Sequence, residues 1–206
     1  MQVQNEQELE NENVGIENEA PQKDEKKPVD IKKEILSWVL TLGAAVIIAL
    51  LIRTFLFEPI RVDGSSMCDT LQDGEIMLVT KPEYLFGDPQ LGDVVICKYP
   101  GRTENFVKRV MGTPGDVLEI VSNVVYRNGE VVDEPYLTEE RNDNGFSMVA
   151  FTLGDDEYFV MGDNRDNSHD SRNYYGYTQP SALTRDMIFG HVQFVMFPFN
   201  SFRGIE

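Results

Sequence analysis

Cysteine, histidine and positive charge are all scarce in this chain of 206 residues. Two cysteines, Cys68 and Cys97, are too few for a disulfide framework, and no Cys/His cluster has zinc spacing, so we predict no metal and no other cofactor. The sequence leaves open whether the two thiols form one bridge. Only His169 and His191 offer an imidazole, which limits any histidine-dependent mechanism. Lys and Arg number 18 against 35 Asp and Glu, and the net charge of −17 argues against nucleic acid as a partner, because nucleic-acid binders carry a basic face.

Large apolar side chains are almost missing from residues 1–34, where Asn, Glu and Gln recur. A segment of this composition cannot bury enough apolar surface to offset the entropy lost on ordering, so we predict a disordered acidic tail. Its ten acidic residues outnumber its five lysines. A solvated tail is the simple interpretation, and an acidic arm that docks a partner is the alternative.

A single long apolar run follows the tail, from Ile35 to Ile52, without a charged residue. At about 1.5 Å per residue, its length approaches the hydrocarbon thickness of a bilayer. A cleaved signal sequence usually has a shorter apolar core and ends at small residues, whereas bulky residues follow here, so we predict a retained transmembrane anchor over residues 35–53. Lys32 and Lys33 precede the run, and the positive-inside rule therefore places the N-terminus in the cytoplasm and residues 54–206 outside it.

Residues 54–206 contain short apolar stretches separated by turn residues, and no segment of helical period and useful length. Asn128 and Gly129 suit the central positions of a type I′ turn, so they predict a β-hairpin over residues 124–132. Many short strands joined by Gly, Pro and Asn turns favour a mainly β domain of antiparallel sheet, as a barrel or a sandwich. The other predicted strands are 75–80, 93–98, 106–111, 116–121, 157–161 and 187–195.

Two adjacent serines follow Gly64, within an apolar stretch that includes Val62 and Met67. A hydroxyl beside an apolar groove can act as a nucleophile only when a proton acceptor is near. Serines after a glycine are also common in turns, so the residues by themselves leave both interpretations open.

A second candidate group lies in the predicted strand 106–111. Alternation along a strand places Phe106, Lys108 and Val110 on one face. A lysine between two apolar side chains can lose its hydration, which lowers its pKa and leaves a neutral amine able to accept a proton. The alternative is an edge lysine whose ammonium group reaches water.

Short polar side chains fill residues 161–172, which cannot form part of a core. A calcium loop is one hypothesis, but Arg165 stands where a ligand is needed and Ser168 stands where an EF-hand has glycine. A self-bonded loop is another, in which Asp170 pairs with Arg165 or Arg172 while the Ser168 hydroxyl faces the site. The histidine of this loop also permits a Ser-His-Asp proposal, for which a solvated histidine is the simpler alternative.

Together these stretches resemble the type I signal peptidases, the membrane-anchored serine proteases that remove signal peptides from exported preproteins. The resemblance runs in order through one anchor and four boxes, and it covers most of the chain after the tail. One anchor with a compact outer domain is similar to the Gram-positive form of the family. The boxes are Gly64-Ser-Ser-Met-Cys-Asp-Thr-Leu71, Leu91-Gly-Asp93, Lys108-Arg-Val-Met-Gly-Thr-Pro-Gly-Asp116 and Gly162-Asp-Asn-Arg-Asp-Asn-Ser-His-Asp-Ser-Arg172.

The resemblance implies a catalytic dyad. Family nucleophiles stand immediately before a methionine, so Ser66 rather than Ser65 would be the nucleophile. Lys108 would be its general base, with no histidine required. The backbone N–H of Ser66 would hold the oxyanion, and the side-chain hydroxyl that some relatives add is missing here because the position is Gly64.

The resemblance also implies supporting and pocket residues. Ser168 would orient the lysine amine, while Asp170 and Arg172 would brace the site. The partners would be exported preproteins, through their signal peptides, and the lipid bilayer. The pocket for the small residue before the cleaved bond would be lined by Val62, Met67, Leu71 and Val107.

One departure from the family pattern stands next to the predicted nucleophile. The family normally has proline where this chain has Asp69. Proline would pre-set the turn, whereas a nearby aspartate would favour protonated Lys108 and so oppose its role as base. The alternative function is therefore a catalytically weakened relative, or an anchored β module that binds signal peptides or calcium without cleaving.

Two further alternatives concern the identity of the nucleophile and the class of protein. Cys68 is a conceivable nucleophile, although a small, partly buried side chain is the simpler interpretation. A self-cleaving Ser/Lys regulator of related fold would be soluble and would bind nucleic acid. The predicted anchor and the negative net charge oppose that class.

Overall fold

The computed structural model describes residues 31–68, 70–138, 144–172 and 180–205. Nearly all of the predicted tail therefore lies outside the described residues. Helix α1 covers Ile31–Phe55. Residues 31–34, assigned to the tail on sequence, form its first turn instead, because lysine and glutamate at 32–34 are good helix formers.

Helix α1 has the length and composition of a membrane span over Ile31–Arg53. Its 23 residues extend about 35 Å, which exceeds the hydrocarbon thickness of a bilayer. Its apolar side chains are exposed rather than packed in a protein core. The prediction of one long apolar helix before the β region is confirmed, and this helix fits membrane anchoring.

The described residues after α1 are mainly β. They include the short helix α2 (Glu83–Phe86) and one-turn 3-10 helices at Arg185–Met187 and Phe199–Ser201. The strands are β1 (Phe57–Arg61), β2 (Ile76–Thr80), β3 (Val94–Cys97), β4 (Phe106–Gly112), β5 (Val117–Val121), β6 (Val124–Arg127), β7 (Glu130–Val131), β8 (Met148–Thr152), β9 (Glu157–Met161), β10 (Leu183–Thr184), β11 (Ile188–Phe197) and β12 (Arg203–Gly204).

The strands form two sheets, and every pairing is antiparallel. The larger sheet has the order β1-β2-β11-β3-β4-β9-β10, with β12 added alongside β11, and it curls into a half-barrel. The smaller sheet has the order β7-β6-β5-β8. The predicted fold class, mainly antiparallel β after a single helix, is confirmed.

The predicted hairpin is confirmed in detail. Asn128 and Gly129 have φ values of 54° and 85° between β6 and β7, as a type I′ turn requires. Four strands were not predicted: β1, β8, β10 and β12. The first contains Pro59 and lies at an edge of the larger sheet, β8 lies at an edge of the smaller one, and the other two have only two residues each. Short edge strands carry weak alternation and are hard to detect in a sequence.

Two buried clusters determine where the catalytic candidates lie. The nucleophile cluster packs Met67 and Leu71 of the β1–β2 connection against the half-barrel, including Ile96 of β3. The sheet-joining cluster packs Leu118 and Ile120 of the smaller sheet against Phe159 of β9, together with Met111 and Met161 at the strand ends. The serine box after β1, the lysine of β4 and the polar loop after β9 are therefore brought together.

Candidate active site

Ser66 lies in the connection between β1 and β2. This connection closes at its base, where Val62 N donates to Glu75 O at 2.8 Å, and it coils within, where Leu71 N donates to Met67 O at 2.8 Å. Met67 and Leu71 are 2% and 0% exposed. The buried apolar side chains that follow the predicted nucleophile thus fix its turn to the sheet.

Ser66 and Lys108 meet at this turn. Lys108 Nζ lies 2.8 Å from Ser66 Oγ, and it donates to Val107 O at 2.8 Å. The lysine is only 2% exposed. The prediction of a desolvated lysine is confirmed, and the alternative of an edge lysine reaching water is wrong.

Burial lowers the pKa of Lys108 below its ordinary value, because the low-dielectric surroundings disfavour the ammonium form. Negative charge at Cys97, Asp170 or Asp163 would act in the opposite direction, and Arg172 acts in the same direction as burial. Burial raises the pKa of the Cys97 thiol to about 12, so this thiol is uncharged at neutral pH. Each of the two aspartates is paired with an arginine, which reduces its opposing effect. The surroundings therefore favour a neutral amine.

The polar loop 162–172 holds the two serines from the other side. Asn164 N donates to Ser66 O at 3.1 Å, and Asn164 Nδ2 donates to Ser65 O at 3.0 Å. Asn167 Nδ2 donates to Ser65 Oγ at 2.9 Å. The two hydroxyls consequently have different surroundings, an amide for Ser65 and the buried amine for Ser66.

Gly162 fits between Ser168 and the serine turn, which is the β1–β2 connection that carries Ser65 and Ser66. A Cβ atom at this glycine would lie 2.4 Å from Ser66 O and 2.3 Å from Ser168 Oγ. The loop can approach the turn this closely only because the residue has no side chain. Ser168 therefore reaches the site, but within the described part of the chain the hydrogen bonds of Lys108 Nζ go to Ser66 and Val107 and not to Ser168.

A buried ion pair joins the lysine strand to the polar loop. Arg109 Nε and Nη2 donate to Asp163 at 3.0 and 2.8 Å, and both side chains are almost completely buried. Arg109 Nη1 donates to Gly92 O at 2.9 Å, which gives the Leu91-Gly-Asp93 box a structural role. The ring of Tyr136 covers the guanidinium, with 3.8 Å between its centroid and Arg109 Cζ. Both charges are thus compensated, as buried charges must be.

A second ion pair lies within the loop. Asp170 pairs with Arg172, at 2.9 Å from both Nε and Nη2, and accepts from Gly162 N at 3.0 Å. Burial would raise the pKa of Asp170, but the guanidinium and the N–H outweigh it and hold the pKa below its usual value. Of the two arginines considered on sequence, Arg172 is the partner, because Arg165 pairs instead with Glu134.

The ion pairs of Asp163 and Asp170 argue against the calcium hypothesis. The carboxylates of Asp163 and Asp170 are each held by a guanidinium, which occupies the oxygens that a cation would need. Within the described ranges, no three His, Cys, Asp or Glu side chains are grouped to hold a metal. His169 is exposed, and the group beside the Ser66 hydroxyl is an amine rather than an imidazole.

The cysteines and Asp69 complete the placement of the predicted residues. Cys68 and Cys97 are buried thiols that are not bonded to each other, which answers the question of their pairing. Cys68 Sγ lies 3.6 Å from Gln72 Oε1, facing along its own turn. Asp69, the departure from the family pattern, lies outside the described residues.

A cleft of about 310 Å³ opens beside Ser66 and Lys108. Charged side chains from Arg61, Asp63, Arg102 and Glu104 contribute to its lining. Of the predicted pocket residues, Val62, Met67 and Val107 line it, whereas Leu71 is fully buried in the nucleophile cluster and does not. The remaining apolar lining comes from Ile60, Met77, Ile96 and Phe106.

Sequence reasoning gave no role to several residues that build the site. Arg109, Asp163 and Asn164 lie inside two of the boxes that carry the family resemblance, and this position is the signal that could have identified them. Glu134 and Tyr136 lie far along the chain in the segment after β7, and no local pattern marks them.

Comparison with known proteins gives a consistent result. The family described as "Signal peptidase, peptidase S26" matches residues 35–197. Signal peptidase I of Bacillus licheniformis is 40% identical over 186 residues, which cover 87% of this chain and 97% of that protein. Signal peptidase I S of Bacillus subtilis (strain 168) is 41% identical over 183 residues, covering 85% and 96%.

Two further matches are less similar in sequence to this chain. Signal peptidase IB of Staphylococcus aureus (strain COL) is 32% identical over 188 residues, covering 84% of this chain and 95% of that protein. A crystal structure of a signal peptidase I from Enterococcus faecalis is 27% identical, covers 51% of this chain and 97% of its own, and gives a TM-score of 0.41.

Proposed function

Because the chain belongs to the signal peptidase family, we propose that it is a serine endopeptidase that removes signal peptides from exported preproteins, with Ser66 as nucleophile and Lys108 as general base. One observation carries this assignment. A buried lysine amine with a lowered pKa lies 2.8 Å from the Ser66 hydroxyl. A neutral amine at this distance can take the hydroxyl proton during attack.

The proposed reaction has two halves. Ser66 Oγ attacks the carbonyl carbon of the scissile peptide while its proton moves to neutral Lys108 Nζ. The C–N bond then breaks, the leaving amine takes the proton from Nζ, and the signal peptide remains as an ester on Ser66. Water attacks this ester, its proton passes to Nζ and then to Ser66 Oγ, and the signal peptide leaves as a carboxylic acid.

The negative charge that develops on the carbonyl oxygen needs a donor. The Ser66 N–H donates to none of the protein groups that the structure describes, which supports its assignment as the oxyanion donor. Gly64 adds no hydroxyl, and its φ of 98° suits a glycine in the approach to this turn. Asp170 and Arg172 would support the donor indirectly, because Asp170 holds Gly162 against Ser66 O.

The cleft supports a preference for small residues before the cleaved bond. Its volume of about 310 Å³ is at the small end for ligand sites. Val62, Met67 and Val107 supply apolar contact beside the dyad. We assign the binding of the small residue to these side chains.

Tethering would bring enzyme and substrate together. We propose that α1 spans the membrane with the N-terminus in the cytoplasm, which leaves residues 54–206 as an extracytoplasmic peptidase domain. A preprotein is held at the same membrane by the apolar segment of its signal peptide. Two molecules confined to one surface meet at a higher effective concentration than in solution.

The rate of cleavage should depend on pH through Lys108. Because burial lowers the pKa of this amine, kcat/KM should rise with pH along a limb whose midpoint lies below the ordinary lysine value of about 10.4. Asp170→Asn removes a negative charge that favours protonated Lys108, so the limb should move to lower pH. A limb at the ordinary lysine value, or a shift of the variant to higher pH, would contradict the assignment.

Cleavage of a preprotein with a small-x-small site by the purified protein in detergent tests the function. Wild type is expected to cut, Ser66→Ala is expected to lose cleavage by about 10³-fold or more, and Ser65→Ala is expected to retain it. A Ser66→Ala protein that still cuts would exclude the proposed nucleophile. Asp69→Pro restores the family residue, and a variant that cuts beside an inactive wild type would show a catalytically weakened relative. Binding without cleavage by every variant would favour the binding module.

A further inference from the structure

The C-terminal segment after β11 lies outside the residues matched by the family, which end at 197. This segment turns back and pairs with β11, so that Arg203 of β12 stands opposite Val195. Ile205 N donates to Gln193 O at 3.0 Å and continues the pairing. The segment is therefore an ordered part of the half-barrel.

Arg203 reaches from this segment to the serine turn. Its Nη1 and Nη2 donate to the two carboxylate oxygens of Glu75 at 2.8 and 2.7 Å. Its Nη2 also donates to Thr70 O at 2.7 Å, and its Nη1 to Ser201 O at 3.0 Å. The Glu75 side chain is 6% exposed, and Gln72 N donates to it at 2.9 Å. The Arg203 guanidinium thus holds the serine turn at two residues, Glu75 and Thr70.

Thr70 connects the Arg203–Glu75 ion pair, called the clamp below, to Asp163 of the polar loop. Its Oγ1 donates to Asp163, whose carboxylate is also held by Arg109. Its carbonyl accepts from Arg203. Asn164, the neighbour of Asp163, donates its N–H to Ser66 O at 3.1 Å. A shift of Thr70 would therefore be passed through Asp163 to the backbone of Ser66 and would change the direction of its hydroxyl relative to Lys108.

We propose that Arg203, acting with Glu75, is a positioning residue for the Ser66 nucleophile. The guanidinium holds the Thr70 carbonyl so that Ser66 Oγ remains within 2.8 Å of Lys108 Nζ. This inference rests on the proposed function, because the alignment matters only if Ser66 is the nucleophile. Arg203 is not among the residues that line the cleft, so its effect should fall on the chemical step rather than on substrate binding.

Steady-state cleavage of a preprotein by Arg203→Met tests the inference. A displacement of the nucleophile by a fraction of an ångström is expected to lower kcat by about 10- to 100-fold, with KM unchanged. Arg203→Lys can keep one of the donated bonds and should recover part of kcat. Glu75→Gln weakens the same clamp, so adding it to Arg203→Met should lower kcat less than the two separate effects multiplied together.

Arg185→Met provides a matched structural control. Arg185 is another partly exposed arginine that joins distant segments, donating to Ile188 O and Gly87 O at 3.0 and 2.9 Å. Its contacts among the described residues include none of the serine turn. Its loss should lower the unfolding temperature and leave kcat unchanged.

Each outcome is decisive for Arg203. A fall in kcat that the control does not share, with partial recovery by lysine, supports positioning. Wild-type kcat in Arg203→Met, or an equal fall in both arginine variants, overturns the inference while leaving the proposed function intact. An inactive wild type overturns the function and the inference together. If Arg203→Met fails to fold, the comparison of Glu75→Gln and Arg203→Lys with Arg185→Met decides on the same criteria.

Discussion

Lys108→Met is expected to lower kcat/KM for preprotein cleavage by about 10³-fold or more while leaving the protein as stable as wild type or more so. The activity falls because methionine fills a similar volume but cannot accept the Ser66 proton. Lys98→Met is the matched control, since Lys98 is exposed beside the ring of Phe189, 5.6 Å from its centroid, and does not line the cleft. It should keep wild-type activity.

The stability of the same variant follows from the lowered pKa of Lys108. Between the folded and unfolded pKa values, the unfolded chain binds a proton that the folded chain does not, so wild-type stability rises with pH in this interval. The destabilising effect of the lysine grows as the pH falls from the ordinary lysine value and is constant below the folded pKa. Lys108→Met removes it, and urea unfolding at several pH values should show a shallower pH dependence for the variant.

Two results would contradict this account of Lys108. Substantial cleavage by Lys108→Met would assign the proton transfer to another group. A large loss of stability in the variant at neutral pH would mean that the lysine contributes to folding, and a loss of activity could then reflect unfolding. The Lys98→Met control shows whether removal of any lysine charge produces either change.

Gly162→Ala is the second change with a large expected effect. The added methyl group would lie 2.4 Å from Ser66 O and 2.3 Å from Ser168 Oγ, well inside any real carbon–oxygen contact. Because Ser66 O is a backbone atom, the turn itself must move. We expect kcat to fall by about 10²-fold and the free energy of unfolding to decrease by about 1–3 kcal/mol.

Gly154→Ala is the control for Gly162→Ala, because it adds the same methyl group at a glycine that has no close backbone neighbour. At Gly154 the nearest atoms are the carboxylate end of Glu157, 3.3 Å away, and this flexible end can move aside. The control should keep wild-type kcat in assays run well below the unfolding temperature. A Gly162→Ala protein with wild-type kcat would show that the close approach of the loop to the turn is not needed for cleavage.

Local patterns in the sequence were sufficient for the apolar helix and most strands, whereas the choice of Ser66 and Lys108 came from the family resemblance. Helix α1 follows from an uncharged apolar run, and the turn at Asn128 and Gly129 follows from residues that tolerate positive φ. The alternation that places Lys108 between Phe106 and Val110 marked the lysine as a candidate but left both a buried and an edge position open. Each of these signals spans only a few neighbouring residues, and this is why they could be read without the fold.

The rest of the site depends on pairs that are far apart in the chain. Arg109 pairs with Asp163 across the junction of β4 and β9, Arg165 pairs with Glu134, and Arg203 pairs with Glu75. Any of several carboxylates could have served each arginine, so only the curl of the half-barrel selects the partner. For the same reason Leu71 was expected in the pocket lining but is fully buried in the nucleophile cluster.

The ion pairs of Asp163 and Asp170 with arginine have one effect in common. The proposed mechanism needs a lysine without charge and a rigid polar loop that faces this lysine. Balancing Asp163 and Asp170 with arginines fixes the loop without adding net negative charge near the amine. The predicted effect of Asp170→Asn on the pH profile is a direct consequence of this balance.

Identification of the side chain that carries the acyl group during cleavage tests the central claim most directly. Wild-type protein mixed with a preprotein and quenched rapidly in acid can be digested and analysed by mass spectrometry. The account predicts the signal peptide esterified to Ser66. An acyl group on Ser65, or a thioester on Cys68, would contradict it.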